Sequence, residues 1–428
     1  MTNWNSTQAE TCLRALLNVA METVRADHCL PPHLPDFPRD GRCIVVGAGK
    51  AAAAMAQACE RHWKQDPHFD ASRLSGLVIV PYGHGLACQH LRVCEAAHPI
   101  PDAAGYQAAS ELLNSVQNLQ AEDTVICLLS GGGSALMSLP APGISLDDKR
   151  AINHALLRSG ARIHEINCVR KHLSAIKGGR LALACAPARL FTFIISDVAG
   201  DDANIIASGP TLPDQSSCAD ALEILQRYAI PIPDHVLSHL RSDAAETPKP
   251  DQLPAAHSRI IACANDALQA ASAWASGQGI DVTVLSDRLE GEASELGRAH
   301  AVLAKNIAAS EANKPHLLLS GGESTVTLTG KGKGGRNTEY LLSLCLALEG
   351  HPSIYGLAAD TDGRDGSEHN AGATFTPDSL QRATQASLSA LDCLQKHDAY
   401  TFFEALQDLV ITGPSLTNVN DFRAILIC

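Results

Sequence analysis

Five short stretches of this chain set glycine beside charge in patterns that suit the handling of small anions. The first is IVVGAGKAAAAMA, Ile44 to Ala56: an apolar run, a glycine turn and an alanine-rich helical pattern. Gly47, Gly49 and Ala52 let the backbone approach a ligand, and the helix opening there offers N–H groups and a positive dipole end. The spacing fits the loose dinucleotide pattern G-x-G-x-x-G/A. Against that use, Lys50 stands at the helix start, and the next apolar run, Leu77–Val80, ends in Pro81-Tyr82-Gly83 with no carboxylate for a ribose. A structural strand–helix turn is the competing explanation. The second stretch, LLSGGGSALM from Leu128 to Met137, offers Ser130, Gly131, Gly132, Gly133 and Ser134 as a nest of backbone donors for phosphate or carboxylate. It is not a serine-nucleophile elbow, because Ser134 is followed by Ala135 and Leu136 rather than by a residue and glycine.

The third stretch is IISDVAGDDANIIASGPT, Ile194 to Thr211, where Asp197 follows an apolar run and Asp201 and Asp202 come soon after. Carboxylates beside glycine loops suit a hard cation such as magnesium, which shares oxygen ligands with phosphates. Asp202 is better read as a solvent-facing cap. The fourth, Ser320 to Leu344, holds Gly330-Lys331-Gly332-Lys333-Gly334-Gly335-Arg336 ahead of a helical pattern. A cationic glycine loop there predicts a phosphate clamp, with Arg336 able to make bidentate contacts. The fifth, Ala358 to Ala373, carries Asp360, Asp362 and Asp365 after another apolar run, at offsets that do not match an EF-hand. His98, His172 and His369 stand alone and read as structural. No Walker A pattern occurs. Anion loops, a lysine, an arginine and carboxylates together describe phosphoryl transfer, a reaction made mostly of positioning and charge neutralisation.

These stretches need strands and helices to hold them. Apolar runs predict strands at Cys43–Gly47, Leu77–Val80, Thr124–Leu129, Leu190–Ile195, Ile260–Cys263, Val282–Leu285, His316–Leu319, Ile354–Ala358 and Ala424–Ile427. Helical spacing fills Lys50–Trp63, Ala103–Leu119, Asp266–Ala275, Glu292–Ala312 and Thr338–Glu349. Such alternation predicts an α/β fold with parallel sheets covered on both faces. The proline-rich stretch Ile230–Pro250 places a boundary near residue 250, giving domains 1–250 and 251–428. LLSGGGSAL and LLSGGEST echo each other, as two similar α/β domains would.

Composition narrows the function classes. With 46 acidic residues against 33 basic, the net charge of −13 disfavours a generic nucleic-acid partner. No apolar run reaches the roughly 18–20 residues of a membrane span. The N-terminal residues read as a capped amphipathic helix rather than a secretory signal. The 14 cysteines are scattered without ligand spacing, so the expectation is reduced thiols in a cytoplasmic protein without structural zinc.

Eight ordered motifs resemble those of the class II glycerate kinases, the glycerate 2-kinase family whose C-terminal part is called MOFRL. They are VVGAGKAA, LLSGGGSALM, INCVRKHLSAIKGGRLA, ISDVAGDDANIIASGPT, LLSGGEST, GKGGRNTEYLLS, DTDGRDGSEHNAGA and TGPSLTNVNDFRAILI, and they span nearly the whole chain. The resemblance implies two three-layer α/β/α domains, the N-terminal one Rossmann-like, with a deep interdomain cleft. It also implies ATP- and Mg2+-dependent phosphorylation of D-glycerate to 2-phosphoglycerate. Lys50 and Arg336 match the family's proposed catalytic pair. Asp197 is the expected magnesium ligand or hydroxyl base, with Glu323, Asp360 and Asp362 as second choices. Relative to the family pattern, His369 stands where an acidic residue is common, and Ser415 and Leu416 replace a threonine and a small residue. The expected partner is a small molecule, with neither nucleic acid nor membrane, and a homodimer is entertained. A hydroxypyruvate reductase using NAD(P)H is the rival reading, since some members first carried that name.

Overall fold

The structure, a computed structural model, describes residues 4–254, 256–310 and 314–428. It divides into two compact units, Ala26–Ile261 and a second made of the first 25 residues with Ala262–Cys428. In the first unit, strands β1 (Cys43–Ala48), β2 (Leu74–Pro81), β3 (Arg92–Ala96), β4 (Thr124–Leu129), β5 (Arg189–Ile195) and β6 (Ala256–Ala262) form one sheet in the order 3-2-1-4-5-6. The pairs β1–β2, β1–β4, β2–β3 and β4–β5 are parallel. Side chains alternate across a strand, so a sheet covered on both faces must be apolar at every position. Ile44, Val46 and Ala48 join a core with Ala108 and Leu112 of the helix Ala103–Ser115 on one face. The intervening Cys43 and Val45 are equally buried, and the helix Ala52–Trp63 packs on β1, β2 and β4. A further layer of helices, Leu146–Arg158, Ile163–His172, Cys218–Arg227 and Asp234–Leu240, closes around Ile152, Leu156, Val169 and Leu225.

The second unit carries β7 (Asp281–Glu292), β8 (His316–Thr325), β9 (Ile354–Asp360), β10 (Gly372–Phe375), β11 (Leu409–Val410) and β12 (Asp421–Ile427) in the order 11-10-9-12-8-7. Here the expected parallel sheet is corrected to a mixed one. Only β7–β8 runs parallel, while β12 enters between β8 and β9 antiparallel to both. A central strand buried on both faces is continuously apolar in either direction, so its sequence does not encode orientation. Three strands escaped the sequence reading: β3 lies at a half-exposed sheet edge, and β10 and β11 are four and two residues long.

The division of the chain also differs from the one expected. The helix Ser6–Thr23 is capped reciprocally by Asn5 and Gln8, and it buries Ala9, Cys12, Leu13, Leu16, Leu17 and Ala20, one stripe at helical spacing. That stripe packs on the helix Ala264–Gly277 and on β9 and β12, so the N-terminus completes the second unit rather than the first. The later boundary lies at 261/262, past the proline-rich stretch, because β6 pairs into the first sheet.

Candidate functional site

In the first sheet the strand order reverses between β1 and β4, and the two glycine stretches leave the carboxyl ends of those two strands. A doubly wound sheet opens a crevice at such a point. The loops are joined directly. The Lys50 amide donates to the Gly131 carbonyl at 2.9 Å, the Ala51 amide to Ser130 Oγ at 3.0 Å, and the Ser130 amide to the Ala48 carbonyl at 3.2 Å. Gly49 adopts φ +141°, and a Cβ there would lie 2.2 Å from Ser130 Oγ. That glycine therefore serves loop-on-loop packing, the structural alternative, while leaving Lys50 half-buried at the start of the helix Ala52–Trp63. Gly47 sits within β1 beside Leu128, and Gly133 starts the short helix Gly133–Leu136, its amide donating to the Ser130 carbonyl at 3.2 Å.

Ser134 is held from beneath. Lys177 Nζ donates to its carbonyl at 2.8 Å, to its Oγ at 3.2 Å and to the Ala207 carbonyl at 3.2 Å. Ser134 Oγ also lies 2.7 Å from Ser208 Oγ, which donates to Asn167 Oδ1 at 3.1 Å. Burial, with the nearby cations Lys149, Arg170 and Lys171, pushes the Lys177 ammonium well below its ordinary range. Lys177 and Asn167 lie within INCVRKHLSAIKGGRLA, where residue type alone does not mark them as functional. His98, read as a lone structural histidine, stands against Gly132: a Cβ there, at φ +82°, would come within 3.0 Å of its ring.

Asp197 is half-buried two residues past β5, at the same sheet edge as the two loops. It belongs to no group of three or more His, Cys, Asp or Glu ligand atoms converging among the described residues. The one such group is His172, Cys218 and Glu246. Asp202 is exposed, and instead of the helix cap expected it holds a turn, accepting from the Asn204 amide at 2.9 Å. All 14 cysteines are free thiols.

In the second unit, Arg336 opens the helix Arg336–Leu348. Its Nη1 donates to Glu323 at 2.7 Å, its Nη2 to Asp360 at 2.9 Å and its Nε to Asp421 at 2.7 Å. Burial disfavours its charge, but the carboxylates of Asp421, Asp360 and Glu323 outweigh burial and raise the guanidinium further above its ordinary value. The convergence follows from the antiparallel β12. Its first residue, Asp421, pairs with Gly322 of β8 and with Asp360, the last residue of β9. Asp421 also accepts from Asn337 Nδ2 at 2.8 Å and from Arg423. Asp365, fully buried, caps the helix from outside it by accepting from the Asn337 and Thr338 amides at 2.9 and 2.8 Å. Asp362 is turned to local use, accepting from the Arg364 amide at 2.8 Å. The basic loop before Arg336 is tied down as well, with the Lys333 amide donating to Asp398 at 2.9 Å. The structure thus sets Glu323 and Asp360, named from the sequence only as alternative carboxylates, against Arg336, and it adds Asp421, which sequence reasoning missed.

Comparison with known proteins bears on the whole chain. Residues 12–241 match a domain of unknown function, DUF4147, and residues 316–421 match the MOFRL family. A protein of Agrobacterium vitis named putative hydroxypyruvate reductase is 48% identical over 99% of this chain and 96% of its own length. D-glycerate 2-kinase of Thermotoga maritima is 36% identical over 95% of each chain. A crystal structure of glycerate kinase from Thermotoga maritima superposes with a TM-score of 0.89 at 35% identity, covering 99% of this chain and 100% of that one. No described helix is long and apolar enough to cross a membrane.

Proposed function

Because the chain belongs to the MOFRL-bearing glycerate kinase family, we propose that it transfers a phosphoryl group from ATP to D-glycerate, giving 2-phosphoglycerate. The observation that carries this reading is the pair of joined loops at the switch point of the first sheet. A lysine at a helix start and a serine-flanked triple glycine stand side by side there, where a doubly wound sheet binds its ligand. In this reading Lys50 neutralises charge on the transferring phosphoryl group. Arg336 is the second cation, held in one orientation by Glu323, Asp360 and Asp421. Those three carboxylates already face a guanidinium, so Asp197 is the residue we assign to magnesium or to the attacking hydroxyl. Magnesium, bound with the nucleotide phosphates, supplies charge neutralisation and alignment, and it needs only one or two protein carboxylates.

The test is ADP release with D-glycerate, ATP and magnesium, with phosphorus NMR of the product. Glycerate-dependent turnover to 2-phosphoglycerate is expected, and Lys50→Ala should lower kcat by about 100- to 1,000-fold. Transfer to the 3-hydroxyl would correct the product but keep the kinase. The name of the Agrobacterium vitis relative favours one second reading, hydroxypyruvate reduction with NAD(P)H. NADH oxidation with hydroxypyruvate, without ADP release, would establish it instead. The absence of a carboxylate after β2, where Pro81 leads into Tyr82, weighs against a ribose site.

A further inference from the structure

Within the first unit, a cavity of about 210 Å³ opens beside Gly132 and Ser134. Four cationic side chains line it: Lys149 and Arg150 from the helix Leu146–Arg158, Arg170 from the helix Ile163–His172, and Lys177. No acidic side chain is among its lining residues, in a chain whose net charge is −13. Three of the four cations have partners. Lys177 is bonded to Ser134, Arg170 Nε donates to Asn153 at 2.6 Å, and Arg150 is paired with Asp147 at 2.9 Å. Lys149 is the exception. It is 9% exposed, and its Nζ is buried with no hydrogen-bond partner. A buried ammonium without a counter-ion is costly, and a helix has no structural need to carry one. Burial, with Arg170 adding, pushes it down to about 7, so an arriving anion would find a lysine poised to hold a proton.

We propose that this cavity is the binding site for the carboxylate end of the hydroxy-acid substrate, with Lys149 as its counter-ion and Arg170 beside it. The volume suits a three-carbon acid, and Ile152 and Leu156 give the cavity an aliphatic wall beside the cations. The position follows from shared residues: Gly132 and Ser134 line the cavity and belong to the loop whose Gly131 carbonyl accepts from the Lys50 amide. The proposal rests on the kinase reading, since it is the acceptor acid that the pocket holds. It commits to the carboxylate, and a phosphoryl group is the other oxyanion the same cations could take.

The experiment is calorimetric titration of the full chain with D-glycerate, glycerol and inorganic phosphate, beside steady-state kinetics. The proteins compared are wild type, Lys149→Met and Lys149→Gln. Glycerate is expected to bind wild type, and glycerol, which lacks the carboxylate, is not. Both variants should raise the KM for glycerate and weaken its binding by about 10- to 100-fold, with kcat changed by less than about threefold. Thermal unfolding reports their folding, and loss of an unpaired buried charge should leave the midpoint unchanged or higher. Wild-type turnover with glycerate KM and binding unaltered in both variants would overturn the proposal while leaving the kinase standing. Phosphate binding that depends on Lys149 while glycerate binding does not would overturn it in favour of a phosphoryl pocket. Lack of glycerate turnover in wild type would remove the kinase reading, and Lys149-dependent glycerate binding would still support the pocket.

Discussion

On the proposal that the cavity holds a carboxylate, the proton on Lys149 sets how tightly the acid is held. The ammonium is held near 7 by burial and by Arg170, against an ordinary value of 10.5, so the free protein loses that proton as pH rises through about 7. A carboxylate binds the protonated form, which makes affinity fall as pH rises. The KM for glycerate is therefore expected to climb by up to about tenfold per pH unit above pH 7, levelling off at the same 10- to 100-fold loss as in the Lys149 variants, with kcat at saturating glycerate flat over the same range. Other groups face the same space: Arg150 on the same helix, Arg170 on the helix Ile163–His172, Lys177 beneath Ser134, and His98 beside Gly132. A guanidinium does not titrate in this pH range. If His98 or Lys177 were responsible, Lys149→Met would retain the pH dependence. A flat KM profile in that variant assigns the dependence to Lys149. Nothing in the residue order marks Lys149, because position 149 of an amphipathic helix looks like any lysine until tertiary packing denies it a partner.

At the scale of elements, the helix pair Ala293–Ala308 and Arg336–Leu348 buries a titratable histidine between its members. His300 is buried, its Nδ1 lies 2.7 Å from the Tyr340 hydroxyl, and burial with Arg423 nearby pushes the imidazole down to about 4. The folded value is below the unfolded one, so this contribution to stability is complete above pH 6.5 and is lost as pH falls from 6.5 toward 4. The loss amounts to about 3 kcal/mol. Hydrogen exchange of the helix Arg336–Leu348 should accelerate over that window in wild type and less steeply in His300→Gln. A steep response in both would sink the assignment. The same helix shows where sequence reading of elements succeeded and where it stopped. Its apolar spacing and the loops around it were legible, and so were Arg336, Glu323 and Asp360 as charged groups. Their convergence was not, because it depends on β12 running antiparallel between β8 and β9 and delivering Asp421 to the guanidinium. In the first sheet β1, β4 and β5 each lead into the loop expected after them, since parallel βα units are local in sequence, whereas β6 was expected in the other domain. The short or exposed strands β3, β10 and β11 carry too few apolar residues to announce themselves.

For the whole molecule, the N-terminal helix is the strongest departure from a linear reading, because the chain begins in the unit in which it ends. Sequence adjacency placed Ser6–Thr23 with the residues that follow it. Packing places its stripe on the helix Ala264–Gly277 and on β9 and β12, and Thr417 Oγ1 donates to the Val24 carbonyl at 2.8 Å. The apolar face of the helix needs a partner surface, and the second sheet has an apolar face left to cover. Leu16, with no exposed surface, lies in the middle of the stripe. Leu16→Ala should cost about 2–5 kcal/mol through lost burial and the cavity left behind. That cost should fall on the second unit. Exchange followed by mass spectrometry is expected to show faster amide exchange in β9, β12 and the helix Ala264–Gly277, hundreds of residues away in sequence. Protection of β1, β2 and β4 should be unchanged, although they lie within about 120 residues of the substitution. The opposite pattern, with faster exchange in β1 and β2 and none in β12, would return the helix to the unit that follows it in sequence and undo the division of the chain at Arg25.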